Sequence, residues 1–199
     1  MSYFAVIDTE TNWSDQVMSI GIAIGESTQY NLVDTYYYVL DPEFRRGGVF
    51  ASSLRVEDNI EHKYKSSRKD AMTHVLAVLK AYKVEYIFAY NATFDYFHLP
   101  ELKQFRWIDI LKLAAYKQHN RFIPEEVDCY PTSGRIKRGY GVEPIYRMVT
   151  GTTSYREKHN GLYDAIDELV IMRKLDLSFD HYLIGELKKP NKTENRPIQ

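Results

Sequence analysis

Apolar and polar positions alternate along the chain in blocks whose period changes. Residues 3–8 (YFAVID) form a short, continuously apolar run, the pattern of a central strand covered on both faces. VMSIGIAI (17–24) and NLVDTYYYVL (31–40) are two further strands, and the turn-like GESTQ between them predicts a hairpin. Asp41-Pro42 ends this meander. Beyond it the period lengthens. In residues 67–82 (SRKDAMTHVLAVLKAY), Ala71, Val75, Leu76, Leu79 and Tyr82 keep one face, and Ser67 and Asp70 have capping-box spacing, so a helix is predicted.

VEYIFAY (84–90) reads as a strand, followed by the polar cluster NATFD and a helix starting near Pro100. RWIDI (106–110) is a short strand running into the helix LKLAAYKQ. Residues 119–138 are polar, with Pro124, Pro131 and Gly134, and read as a long surface segment. GVEPIYRMV (141–149) is a short helix closed by Gly151, and GLYDAIDELVIMRKL (161–175) is the last strong helix. A meander followed by alternating helices and strands gives an α/β domain on a mixed sheet. Residues 1–187 are expected to form one domain, and 188–199, ending KKPNKTENRPIQ, a disordered tail.

Composition changes this picture little. The chain has 199 residues, 44% apolar and 27% charged, as ordinary globular domains do. No stretch approaches the roughly 20 apolar residues that span a bilayer, and no leader precedes the first strand, so a cytoplasmic protein without membrane contact is expected. The single cysteine, Cys129, excludes an intrachain disulfide and a cysteine-rich zinc site. With 26 basic and 27 acidic residues there is no broad basic footprint for duplex nucleic acid, although a local cleft for a single strand is allowed.

The acidic positions carry more information. In AVIDTETN (5–12), Asp8 and Glu10 lie two apart on a strand and project to the same side. Each raises the cost of ionising the other, and no Lys or Arg occurs in the first forty residues to offset them. Asp95 follows the second strand-to-polar transition, Asn91 to Asp95, where it could equally serve a helix start. His159 stands before Asn160-Gly161 on the approach to the last helix, and Asp164 lies on that helix outside the centre of its apolar stripe. Taken singly, each cluster reads as a solvated strand end, a cap or a loop histidine.

Together, their order and spacing resemble the DEDDh group of 3′–5′ exonucleases, the DnaQ-like branch with a ribonuclease H-like fold. Asp8-Thr9-Glu10-Thr11 is similar to that family's first motif, Asn91-Ala92-Thr93-Phe94-Asp95 to its second, and His159 to Asp164 with Ala165 to its third. VMSIGIAI and the WIDIL around Asp109 are similar to further family segments. The chain departs from the pattern at Asn12-Trp13-Ser14, where the family often has a small turn, and at Tyr90, where a histidine commonly stands.

The resemblance implies an α/β, ribonuclease H-like fold: an antiparallel meander plus parallel strands, flanked by helices. It implies two divalent cations, Mg²⁺ or Mn²⁺, held by Asp8, Glu10, Asp95 and Asp164, with Asp8 between them. His159 would be the general base, and Thr9, Thr11, Asn91 and Phe94 would meet the substrate. The substrate would be the 3′ end of single-stranded DNA or RNA, released as nucleoside 5′-monophosphates. Phe94, Tyr96, Tyr155 and Tyr163 are candidates for base stacking, and Lys137, Arg138, Arg156 and Lys158 for phosphate contacts. Two other readings use the same fold: a non-catalytic nucleic-acid-binding scaffold, and a proofreading subunit serving a polymerase. A homodimer interface or a substrate lid would fall in residues 119–138.

Overall fold

A computed structural model of the chain describes residues 2–57 and 60–188, so nearly all of the expected tail, 189–199, lies outside the described residues. Six strands make one mixed sheet: β1 (Tyr3–Thr11), β2 (Val17–Glu26), β3 (Leu32–Leu40), β4 (Lys63–Ser66), β5 (Tyr86–Ala89) and β6 (Arg106–Asp109). Their spatial order is β4-β3-β2-β1-β5-β6. The expected meander forms the antiparallel half, while β5 lies parallel to β1, β6 to β5 and β4 to β3. The helices are α1 (Arg68–Ala81), α2 (Thr93–His98), α3 (Leu111–Ala114), α4 (Val142–Thr150), α5 (Gly161–Leu175) and α6 (Phe179–Tyr182). No helix among the described residues is long and apolar enough to cross a membrane.

Helices cover both faces of the sheet, and β1 feeds both cores. Phe4 and Val6 pack with residues of α4 and α5, whereas Ala5 and Ile7 pack with residues of α1. This is why YFAVID reads as continuously apolar. The α5 face carries the functional consequence. On β2, Ser19, Gly21, Ala23 and Gly25 alternate with Ile20, Ile22 and Ile24, and only the small residues turn toward α5. A Cβ on Gly21 would stand 2.0 Å from the carbonyl carbon of Gly161, and one on Gly161 would stand 2.8 Å from the Asp8 carbonyl oxygen. Backbone therefore meets backbone where α5 begins, directly above Asp8, whose register partner is Gly21.

Several elements differ from expectation. The helix predicted near Pro100 begins instead at Thr93, and Pro100 opens a short 3₁₀ turn, Pro100–Leu102. LKLAAYKQ is helical only over Leu111–Ala114, and edge strand β4 was not predicted. The segment 119–138 forms no helix or named strand, yet it is not purely surface: Ile123 and Ile136 enter the core, and buried Asn120 donates to the Ala114 carbonyl at 2.6 Å. Ser67 does cap α1, accepting from the Asp70 N–H at 3.2 Å. The Asp70 carboxylate receives the Ser67 hydroxyl rather than reaching back to its N–H.

The Gly21–Gly161 contact gives a direct expectation. Gly21→Ala forces a methyl group into backbone that cannot rotate away, so it destabilises the fold by about 2–3 kcal/mol or more. Thermal unfolding measures this, and an unchanged midpoint would show that α5 does not rest on β2 as described.

Candidate active site

Each candidate side chain is placed by a different element. β1 is a central strand, paired with β5 at Ala5 and Val6 and with β2 along its length, so Asp8 and Glu10 leave it on the α5 face where β2 still holds it. A register shift between Glu10 and Thr11 ends this regular pairing. Thr9 points the opposite way, and its hydroxyl donates to Asp95 Oδ1 at 2.7 Å. Asp95 lies in the first turn of α2 and is buried. Neither Asn91 nor Thr93 caps that helix through its side chain. Instead Asn91 adopts φ +61°, a conformation asparagine tolerates better than most residues, and its N–H donates to Asp109 Oδ1 at 3.0 Å.

The third segment is a loop-to-helix junction. His159 has φ +52° in the approach loop, and Asn160 is the N-cap of α5, its side chain accepting from the Leu162 N–H at 3.1 Å. Asp164 Oδ2 accepts from the Asn160 N–H at 2.8 Å, which closes the first turn. Asp164 Oδ1 is buried and has no hydrogen-bond partner.

All nine residues assigned from sequence to catalysis, metal or substrate line one cleft of about 300 Å³: Asp8, Thr9, Glu10, Thr11, Asn91, Phe94, Asp95, His159 and Asp164. Ligand atoms of Glu10, His159 and Asp164 lie within 4.8 Å of one another. The other candidates fare differently. Phe94 is half-exposed at the cleft, but Tyr96 packs edge-on to Trp107 and Tyr155 stacks on Tyr146. Tyr163 and Lys158 pair with each other at 3.6 Å, and Lys137 pairs with Asp128 at 2.9 Å.

Three acidic or aromatic neighbours escape the sequence reading. Glu157 lines the cleft, two residues before His159, at the same spacing that links Asp8 to Glu10. Glu168, one turn after Asp164, is buried and accepts from the Tyr90 N–H at 3.0 Å. Phe50 reaches the cleft from the long β3–β4 connection, where no periodicity marks it.

Crowding of carboxylates in a desolvated site governs the electrostatics. Burial raises Asp8 well above the ordinary carboxylate range, and Asp95, Glu168, Asp164 and Glu10 add to it. Burial, with Glu157 and Asp95, moves Glu10 up to about 7. Asp95 rises to about 7 through burial, against the lowering effect of the Thr9 hydroxyl. Asp164 rises to about 8, through burial and then Glu157 and Glu10. No Lys or Arg forms an ion pair with any of the four among the described residues. An all-oxygen acidic set with an unpartnered buried oxygen suits hard divalent cations, so these residues fit a Mg²⁺ or Mn²⁺ site.

The same crowding predicts how stability responds to pH. Each of the four carboxyls has a folded pKa above its unfolded value, so the folded chain retains protons that the unfolded chain has lost between about pH 4 and 8. Stability of the ion-free protein therefore falls as pH rises through that window. A net loss of ~1–3 kcal/mol would lower the thermal midpoint by several degrees between pH 5.5 and 8.5. Mg²⁺ or Mn²⁺ at pH 8 reverses the loss. Asp8→Asn raises the ion-free midpoint at pH 8 and blunts the response to the ion. Calorimetry at fixed ionic strength checks this, and a flat pH profile would contradict it.

No family model and no curated protein matches the chain. Solved structures do match. Over 87% of this chain and 91% of the other, it is similar to the nuclease domain of 3′hExo, described as a DEDDh family member bound to rAMP, with a TM-score of 0.60 and 14% identity. A structure of 3′-end-specific recognition of a histone mRNA stem-loop by 3′-exonuclease matches with a TM-score of 0.59 and 13% identity, covering 87% of this chain and 81% of that one. A full-length 3′-exonuclease matches over 100% of this chain and 93% of its own, with a TM-score of 0.61 and 12% identity. The mixed sheet and its flanking helices thus form the ribonuclease H-like fold of DEDDh 3′-exonucleases.

Proposed function

We propose that the chain is a metal-dependent 3′–5′ exonuclease that hydrolyses the terminal phosphodiester of single-stranded DNA or RNA and releases nucleoside 5′-monophosphates. The observation that carries this reading is the convergence of Asp8, Glu10, Asp95, Asp164 and His159 on one cleft within a fold shared with 3′-exonucleases. A scaffold without chemistry has no use for four crowded acids whose repulsion is uncompensated. The solved neighbours are described with an RNA stem-loop and with rAMP, which favours a nucleic-acid substrate here.

Asp8, Glu10, Asp95 and Asp164 would hold the divalent ions. Bound ions would supply Lewis-acid activation of water and neutralise charge on the phosphate and the leaving oxygen. The chain's own residues do the rest. Thr9 fixes the rotamer of Asp95 through its 2.7 Å hydrogen bond. His159, whose imidazole is open to the cleft, accepts the proton of the attacking water. Phe94 offers a half-exposed ring to the terminal base, and Thr11 and Asn91 line the same cleft. The cleft is small, about 300 Å³, and lined by acids, which suits the end of a single strand better than a duplex face.

Purified protein should shorten a 5′-labelled oligonucleotide stepwise with Mg²⁺ or Mn²⁺ and not with EDTA. Matched DNA and RNA strands decide between the two polymers. Asp8→Ala abolishes turnover. His159→Ala lowers kcat by about 10²–10⁴-fold with ion binding largely intact. Because Glu10, His159 and Asp164 could also share an ion, loss of ion binding in His159→Ala would assign the imidazole as a ligand and remove it as the base. A second series tests the Thr9 link: Thr9→Val costs about 10-fold in kcat, the effect of one hydrogen bond to a charged group, while Thr9→Ser retains activity. Equal loss in both would place Thr9 on the substrate instead. Absence of hydrolysis across both polymers and both metals would sink the reading and leave the scaffold in its place.

A further inference from the structure

The long connection between β3 and β4 is tied to the site at both of its ends. On the side of the first acidic segment, Asn12 donates to the Glu43 carbonyl at 2.9 Å and the Trp13 N–H to the Gly47 carbonyl at 3.1 Å. Gly48 lies so close to that turn that a Cβ would stand 2.7 Å from the Thr11 carbonyl oxygen. On the side of the third segment, Asn160 donates to the Ser53 carbonyl at 2.5 Å, and the Glu57 N–H donates to the Tyr163 hydroxyl at 3.1 Å. The connection is therefore a strap across the cleft, joining the strand end that bears Glu10 to the helix start that bears Asp164.

Phe50 sits midway along this strap. Its ring lies parallel to the His159 imidazole, with centroids 4.0 Å apart and planes inclined by 15°. Two facts give the stack meaning. Phe50 belongs to neither hydrophobic core cluster, so its placement serves no core packing. His159 has no hydrogen-bonded partner to set its ring among the described residues. The nearest charged group, Glu157 Oε1, is 4.0 Å from Nδ1, beyond hydrogen-bond reach. A base needs an orienting neighbour, and among the described residues the ring stacked on the His159 plane is that of Phe50.

We propose that Phe50 is a positioning residue for His159: its ring fixes the plane of the imidazole so that a ring nitrogen faces Glu10 and Asp164 across the cleft. The proposal rests on the reading of His159 as the base, but the stack itself does not. A phenyl face restricts ring tilt without offering or withdrawing a proton, so it sets direction and leaves the acid–base chemistry to the imidazole. Misalignment of a reacting group by about 1 Å commonly costs up to 10²-fold in rate, which sets the scale of effect.

The experiment is a double-mutant cycle on the full chain. Phe50→Ala and Phe50→Leu each lower kcat by about 10-fold while KM stays within about twofold, and Phe50→Tyr restores the rate because it keeps the ring face. In a His159→Ala background, Phe50→Ala costs nothing further. A rise in KM with kcat unchanged would overturn the proposal in favour of a substrate-stacking ring. So would an equal loss of kcat with and without His159. A readout independent of turnover separates this proposal from the functional one. In proton NMR, the His159 ring resonances carry the ring-current shift of Phe50, and Phe50→Leu removes it. If the chain hydrolyses no nucleic acid, the exonuclease reading fails alone; if the His159 resonances ignore Phe50→Leu, the stack and this proposal fail whatever the activity.

Discussion

The contact between Gly21 and Gly161 is the constraint on which the site depends. Four acidic side chains do not gather by attraction; they repel, and burial penalises each of them. Something else must press α5 onto the sheet, and that is apolar packing along the rest of the helix. Ala165, Leu169 and Met172 are buried in one core cluster with Phe4, Val6 and Ala23 of the sheet. The two glycines let this packing act at full closeness, because no side chain separates the helix start from β1 and β2. Asp164 is thereby held beside Asp8 and Glu10 at an electrostatic cost that the core bears.

Much of this arrangement was legible in the residues. Asp8 and Glu10 could be read as one unit because strand geometry has a fixed period of two and the preceding run is apolar. Asp95, His159 and Asp164 read singly as a helix start, a loop histidine and an acid off the apolar stripe, and only the family resemblance of the three segments together drew them into one site. What escaped was the part with no period. The strap over the cleft is built from turns and 3₁₀ pieces, and its hydrogen bonds run to Asn12, Trp13, Asn160 and Tyr163, partners that no local pattern names. Glu157 was within reach of the reasoning applied to Asp8 and Glu10, but a loop does not guarantee alternation as a strand does.

The misplaced helix after Asn91 is instructive in another way. Proline at a first turn is a sound signal, and Pro100 does begin a turn. The longer helix α2 starts earlier without a side-chain cap. The turn that launches it is held from outside, by Glu168 accepting from Tyr90 and Asp109 accepting from Asn91. Two buried acids on distant elements thus replace the local chemistry that sequence rules look for. Tertiary structure has taken over the work of a cap at the place where Asp95 must be aimed.

The alternation along β1 has one last consequence. Its residues before Asp8 are apolar on both faces, so hydrophobicity alone scarcely distinguishes this strand from the same strand displaced by one position. Such a displacement would turn Thr9 toward α5 and send both carboxylates under α1. In the observed register Asp8 lies opposite Gly21, the residue of β2 on which the start of α5 rests. The glycine acts as an index mark: the place where the helix can touch the sheet is also the place where the two carboxylates emerge, so one close contact sets both the packing and the aim of the acids.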